Sequence, residues 1–227
     1  MLICLLTHSI PLWLNGRDWP VAERPSALVL ALSGVFFGGV ILVFPLCACA
    51  PFAASYQTAS SSKIVASSLW IKICSTALSG GLCATFPFVL HTLICNLVAL
   101  PVKPHDYPNH ELNFYGIYNN LYHVSGGLPM YLLFAFGMML SGGAFALISL
   151  LVSLWIHRVQ SIMAVPAIIY YLWIKLTLPN IPRPADIFSD ALTHKDLFSS
   201  LIAFLILYFL LVAAFLFTQK GGVKADE

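Results

Sequence analysis

The sequence predicts an all-α fold: a polytopic integral membrane helical bundle with five full spans and a partial one at the N-terminus. Three observations lead there. Hydrophobic residues occupy 59% of the 227 positions and charged residues only 9%, against roughly 25% charged in an ordinary soluble domain. Mean hydropathy is +0.88. Apolar runs also recur at lengths near the ~20 residues a helix needs to cross a hydrocarbon core of about 30 Å, separated by polar breaks. Residues 1–227 are therefore read as a single transmembrane domain whose first partner is the lipid bilayer. The net charge of +2 is too small to suggest a nucleic-acid partner.

The partial span, 1–14, is apolar but short and holds His8 and Pro11, with no Lys or Arg before it. A secretory signal needs a basic start and a small-residue cleavage site, so the segment reads as the end of a first helix. A polar loop with Arg17, Asp18, Trp19, Glu23 and Arg24 follows. The second span, 26–54, carries Gly34 and Gly38 four apart, a spacing that lets another helix approach closely. Pro45 and Pro51 are expected to bend or end it. The stretch 44–70 then leaves apolar sequence, passes Tyr56, crosses a Ser-rich segment whose only charge is Lys63, and re-enters apolar sequence at Leu69.

The third span, 69–100, has Lys72 near its start, Gly80 and Gly81 together, and Pro87. Lys72 can snorkel to the interface. In the polar segment 101–127 the Pro-rich first half excludes a regular helix. In its second half Phe114, Ile117, Tyr118, Leu121 and Tyr122 recur at helical spacing. That pattern suits a helix at the lipid headgroups and equally an aromatic loop packed on the bundle. The fourth span, 129–156, brings Gly137, Ser141, Gly142 and Gly143; residues 157–160 break it; the fifth, 161–178, is interrupted by Pro166. A Pro-rich loop leads to the last span, 197–217, which Gln219 and Lys220 stop.

All six cysteines lie in or beside apolar runs and read as small buried thiols. Catalytic patterns of the GxSxG, HExxH and GxxxxGK[ST] types do not occur. Cys83 and Cys95 are about 18 Å apart along one helix, too far to share a zinc ion with His91. No metal site, catalytic residue or cofactor is expected. An ionisable group within a span is a functional candidate, although a neutral His91 bonded to a neighbouring helix is the plainer reading. Orientation is left open by charge, because Lys63, Lys72, Arg158, Lys220 and Lys224 on one side face Arg17, Arg24, Lys103, Lys175, Arg183 and Lys195 on the other.

The run VFPLCACAPFAASY, a polar loop, then SLWIKICSTALSGGLCATFPFVL resembles the membrane-spanning permease subunits of small Gram-positive ABC-type exporters. In that family a Pro-Leu-small-small-Pro-Phe-small-x-Ser-Tyr turn closes the second helix, and paired small residues follow in the third. The segment YNNLYHVSGGLPMYLLFAFGMMLSGGAFALISLLVSLWIHRVQSIMAVPAIIYYL is similar to the family's Pro-x-Tyr entry, small-residue middle and basic break. The likeness covers residues 40–171. The loop after Tyr56 is shorter here than in the family and carries Lys63 alone.

The resemblance implies a multi-pass protein of the bacterial plasma membrane that forms a substrate path and is not itself an enzyme. ATP would be bound and hydrolysed by a separate cytoplasmic subunit, and a second membrane subunit, identical or different, would complete the path. Ser55, Tyr56, Gln57 and Lys63 would contact the ATP-binding chain from the cytoplasm. The alternative is a non-transport membrane protein, such as an immunity or sensory accessory factor. An intramembrane enzyme ranks third, since paired catalytic residues are lacking. The implied topology places reporter fusions after Gly221 and after Asp106 on opposite sides of the membrane, Gly221 inside. Enzymatic reporters active only on one side check this, and the same signal from both fusions contradicts it.

Overall fold

A computed structural model describes residues 1–16, 38–59, 69–98, 128–156, 158–175 and 197–222. Six helices run through them: α1 (Leu2–Gly16), α2 (Gly38–Ala59), α3 (Leu69–Val98), α4 (Leu128–Ser153), α5 (Val159–Lys175) and α6 (Leu197–Gly222). The described residues contain no strand. Two helical stretches, Trp70–Val98 and Tyr131–Ser153, are long and apolar enough to cross a membrane. The remaining ends of the second and third predicted spans, and both long loops, lie outside the described residues.

Helix ends differ from the sequence expectation where proline was expected to act. Pro45 and Pro51 both lie inside α2, which runs on to Ala59. Pro87 and Pro166 are likewise within α3 and α5. Each removes one backbone donor. Pro45 and Pro166 are fully buried, so packing holds their helices continuous. Ser55, Tyr56 and Gln57 consequently belong to the last turns of a helix and not to a loop.

The chain divides into two compact units. The first comprises 1–43, 85–137 and 183–197, and the second 44–84, 138–182 and 198–227. In the first unit α1 meets α3 through Ser9 and His91. There α3 also bonds α4, Thr85 Oγ1 donating to the Ala135 carbonyl at 3.5 Å.

The second unit is built on glycine. A Cβ at Gly80 would collide with the Ala146 methyl and lie 2.7 Å from the Ala48 carbonyl oxygen. One at Gly81 would lie 2.6 Å from the Met139 carbonyl oxygen. On the facing helix, a Cβ at Gly142 would come 2.6 Å from the Ala84 methyl. Real Cβ atoms do not make such contacts, so α3 and α4 approach closely because neither backbone carries a side chain there. The two run antiparallel, since Gly81 faces Met139 while Ala77 faces Gly143.

Around this seam Ile73, Leu147, Leu150 and Phe215 form a buried cluster, with Phe52, Ala77, Leu151, Leu154, Tyr208, Leu211 and Val212 packed on it. Phe145 is gripped edge-on from both sides, by Phe44 at 6.1 Å and Tyr170 at 5.0 Å between ring centroids, a favoured aromatic geometry.

All six cysteines are free. Cys49 and Cys95 are buried and Cys4 and Cys47 partly so, but Cys74 and Cys83 are exposed. That corrects the reading of all six as buried. Cys74 shares a face of α3 with exposed Leu78 and Leu82, each a helical turn further on, and Cys83 adjoins that face.

Replacing Gly81 with Ala places a methyl against the Met139 backbone. Overpacking of this kind costs about 1–3 kcal/mol. Denaturant unfolding in detergent should report that loss for Gly81→Ala, and little change for Leu78→Ala on the exposed face of the same helix.

Candidate functional site

The described residues offer three places where polar groups gather inside apolar surroundings. The most buried is in the first unit. His91 on α3 is completely buried, and its Nε2 lies 2.8 Å from Ser9 Oγ on α1 and 3.6 Å from Cys95 Sγ, one turn along α3. Ser9 Oγ also lies 3.1 Å from the Leu5 carbonyl oxygen. A serine has one hydroxyl hydrogen. If it is donated to Leu5, then His91 Nε2–H donates to Ser9 and Nδ1 is a bare acceptor. If it turns to Nε2, then Nδ1 carries the ring hydrogen.

In both arrangements Nδ1 has no hydrogen-bond partner among the described residues, and neither has the neighbouring Thr92 Oγ1. Such a buried polar atom costs about 1–3 kcal/mol. The histidine that stood out in the sequence thus bonds a neighbouring helix. The contact with Ser9, 82 residues away, carries no sequence signal, because one Ser in an apolar helix is unremarkable.

The second place is the seam of the second unit, where three polar groups reach helix carbonyls. Tyr208 Oη on α6 donates to the Leu140 carbonyl at 2.7 Å. It occupies the notch opened by Gly143, where a Cβ would meet that hydroxyl. Ser149 Oγ on α4 donates to the Ile162 carbonyl of α5 at 3.0 Å. Cys49 Sγ on α2 makes a weaker contact, 3.5 Å, with the Phe145 carbonyl. Each ties a different helix to α4. Of these groups the sequence marked only the glycines and Cys49; Tyr208 lies in the most uniformly apolar run and gave no signal.

The third place is the end of α2 with the residues expected to meet an ATP-binding chain. Ser55 is exposed and its hydroxyl returns to the Phe52 carbonyl at 2.8 Å. Tyr56 is half-buried and its ring rests on Phe52, with centroids 6.1 Å apart. Gln57 lies in the same final stretch of helix. Lys63 lies outside the described residues, as do His105, His110 and His123. Ser55 and Tyr56 are therefore brought together on a helix end anchored, through Phe52, in the Ile73–Phe215 cluster.

Among the described residues no three His, Cys, Asp or Glu side chains gather as a metal-binding group. No protein-family model, curated protein or solved structure matches the chain.

Ser9→Ala strips His91 of its Nε2 partner and should lower stability by about 0.5–2 kcal/mol. Adding His91→Leu removes the stranded imidazole, so the double variant should lose less than the two single variants summed. Denaturant titration of all four forms checks this cycle; strict additivity would show that the two residues do not interact.

Proposed function

We propose that this chain is a multi-pass protein of the bacterial plasma membrane and the membrane subunit of an ABC-type exporter. One observation carries the reading. The residues behind the sequence likeness are the residues that build the second unit's seam. Pro45 to Tyr56 form the end of α2, whose Ala48, Cys49 and Phe52 face the seam. The paired small residues, Gly80 with Gly81 and Gly142 with Gly143, are the points of closest backbone approach. A family pattern that fell on solvent-facing or scattered positions would lack this support.

The membrane part of the proposal draws on the faces turned outward. Trp70–Val98 has a mean hydropathy of 1.7 in its most apolar window, yet only 33% of that window is buried. Leu78, Leu82, Phe86, Leu93 and Leu97 on α3 are exposed, as are Leu205, Phe209 and Phe217 on α6. A helix apolar all round needs apolar surroundings, and a bilayer supplies them. At 1.5 Å per residue α3 is roughly 45 Å long and α4 roughly 39 Å, both longer than the ~30 Å hydrocarbon core.

In this reading the protein hydrolyses nothing. ATP would be turned over by a separate cytoplasmic subunit, and its stroke would be transmitted through the α2 end and the segment that follows. Helix packing at a small-residue seam has two accessible arrangements more readily than packing of large interlocked side chains. A second membrane subunit would complete the substrate path.

Replacing Tyr56 and Lys63 together with Ala should weaken co-purification of a cognate ATP-binding chain several-fold while membrane insertion is unchanged. Full recovery of that chain with the double variant removes these residues from the contact. Absence of any ATP-binding chain from the wild-type preparation favours the accessory, non-transport reading.

A further inference from the structure

The second unit has an unbalanced charge. It holds Lys63, Lys72, Arg158, Lys175, Lys220 and Lys224, but no carboxylate side chain before Asp226 and Glu227 at the chain end. Helix packing gathers three of these cations at one end. Where Gly80 meets Gly142 and Ala146, α3 and α4 run antiparallel. Ten residues back along α3 is Trp70, and the same distance forward along α4 reaches 152–156, which contains Trp155. Ile73 packs with Leu147 and Leu150 between these levels. Trp70 and Trp155 thus stand at one height, each roughly 15 Å from the glycine crossing.

Two more helices end at that height. On α2, Ala48 lies at Gly80, Phe52 joins the Ile73 cluster, and Tyr56 rests on Phe52. On α6, Tyr208 sits at Leu140 and Gly143, and Phe215 joins the same cluster. Twelve residues beyond Tyr208 is Lys220, level with 152–155. Lys72 lies half a turn inside Trp70, and Arg158 begins α5, its carbonyl accepting from Ile162 N at 3.1 Å. Trp155 is 77% exposed and Trp70 57%.

Tryptophan, tyrosine and cations gathered at one depth is the arrangement favoured at a bilayer surface, and clustered Lys and Arg there select anionic lipid. We infer that the end of the second unit bearing Tyr56, Trp70, Lys72, Trp155, Arg158 and Lys220 binds anionic lipid headgroups and sets the depth of the unit in the bilayer. The inference rests on the membrane reading above and adds the lipid class and the residues that meet it. The side chains of Lys72 and Arg158 are long enough to lie along the apolar surface with their charges at the phosphates, while the indoles of Trp70 and Trp155 fill the same boundary. Lipid phosphate at that boundary would serve as the counter-ion for these cations.

The test uses the full chain in vesicles, with all tryptophans but one replaced by Phe. Trp70 alone and Trp155 alone should each be quenched more by phospholipid brominated near the headgroup end of its acyl chain than near the tail end. A probe at Leu82→Trp in the Trp-free chain, roughly 18 Å deeper along α3, should show the reverse. At equal mole fraction, brominated phosphatidylglycerol should quench Trp155 several-fold more than brominated phosphatidylcholine. That preference should fall to parity in the Lys72→Gln, Arg158→Gln, Lys220→Gln variant. Equal quenching by the two lipids in the unsubstituted protein overturns the anionic-lipid inference. Different depths for Trp70 and Trp155 overturn the shared boundary. No quenching at any of the three probes, Leu82→Trp included, overturns the membrane reading itself.

Discussion

The close approach of α3 and α4 is the constraint on which the second unit depends. Gly80 and Gly142 meet with no room for a Cβ on either, and the backbones come near enough for dispersion contacts along the whole seam. Once that distance is set, the other helices have fixed places. α2 reaches Gly80 through the Ala48 carbonyl, and α6 enters the Gly143 notch with Tyr208. The large residues follow from the small ones: Ile73, Leu147, Leu150 and Phe215 close the space where the helices part again. Burying one of these side chains contributes about 1.5–3 kcal/mol from water, but less where the unfolded reference is already in lipid, so shape complementarity does more here than burial alone.

Hydrogen bonds supply the direction that apolar packing lacks. Several side-chain donors simply return to the carbonyl three residues back, as Ser55, Ser75, Ser79 and Ser153 do. Those that cross between helices are fewer and each has a distinct register: Ser149 with Ile162, Tyr208 with Leu140, Thr85 with Ala135 and Ser9 with His91. In surroundings without water, sliding such a pair out of register strands a polar group. The His91 ring is the incomplete case among the described residues, where one nitrogen is bonded and the other is not.

Charge lies outside this packing and has a different role. The buried residues of the second unit are apolar or neutral, while its cations gather at helix ends. In the lipid-anchor proposal those cations are offered to an external anion. Their place beside exposed Trp70 and Trp155 would couple that attraction to a defined depth.

Much of this was legible from the residues alone. Composition pointed away from an ordinary soluble domain, because 9% charge is far below the roughly 25% usual there. Paired glycines in two apolar runs indicated close packing, and the described helices fall where hydropathy put them. Of the two effects expected of Pro45 and Pro51, ending the helix did not occur: α2 runs on to Ala59, with Pro45 buried and Phe52 packed on the Ile73–Phe215 cluster. The pairings lay beyond the sequence altogether. That Gly80 meets Gly142, that Tyr208 fills the Gly143 notch, and that Ser9 finds His91 are decided by which helices lie side by side. Apolar helices are chemically alike along their length, so periodicity gives each a face but not a partner. The choice of partner belongs to shape and register, which exist only once the helices are packed.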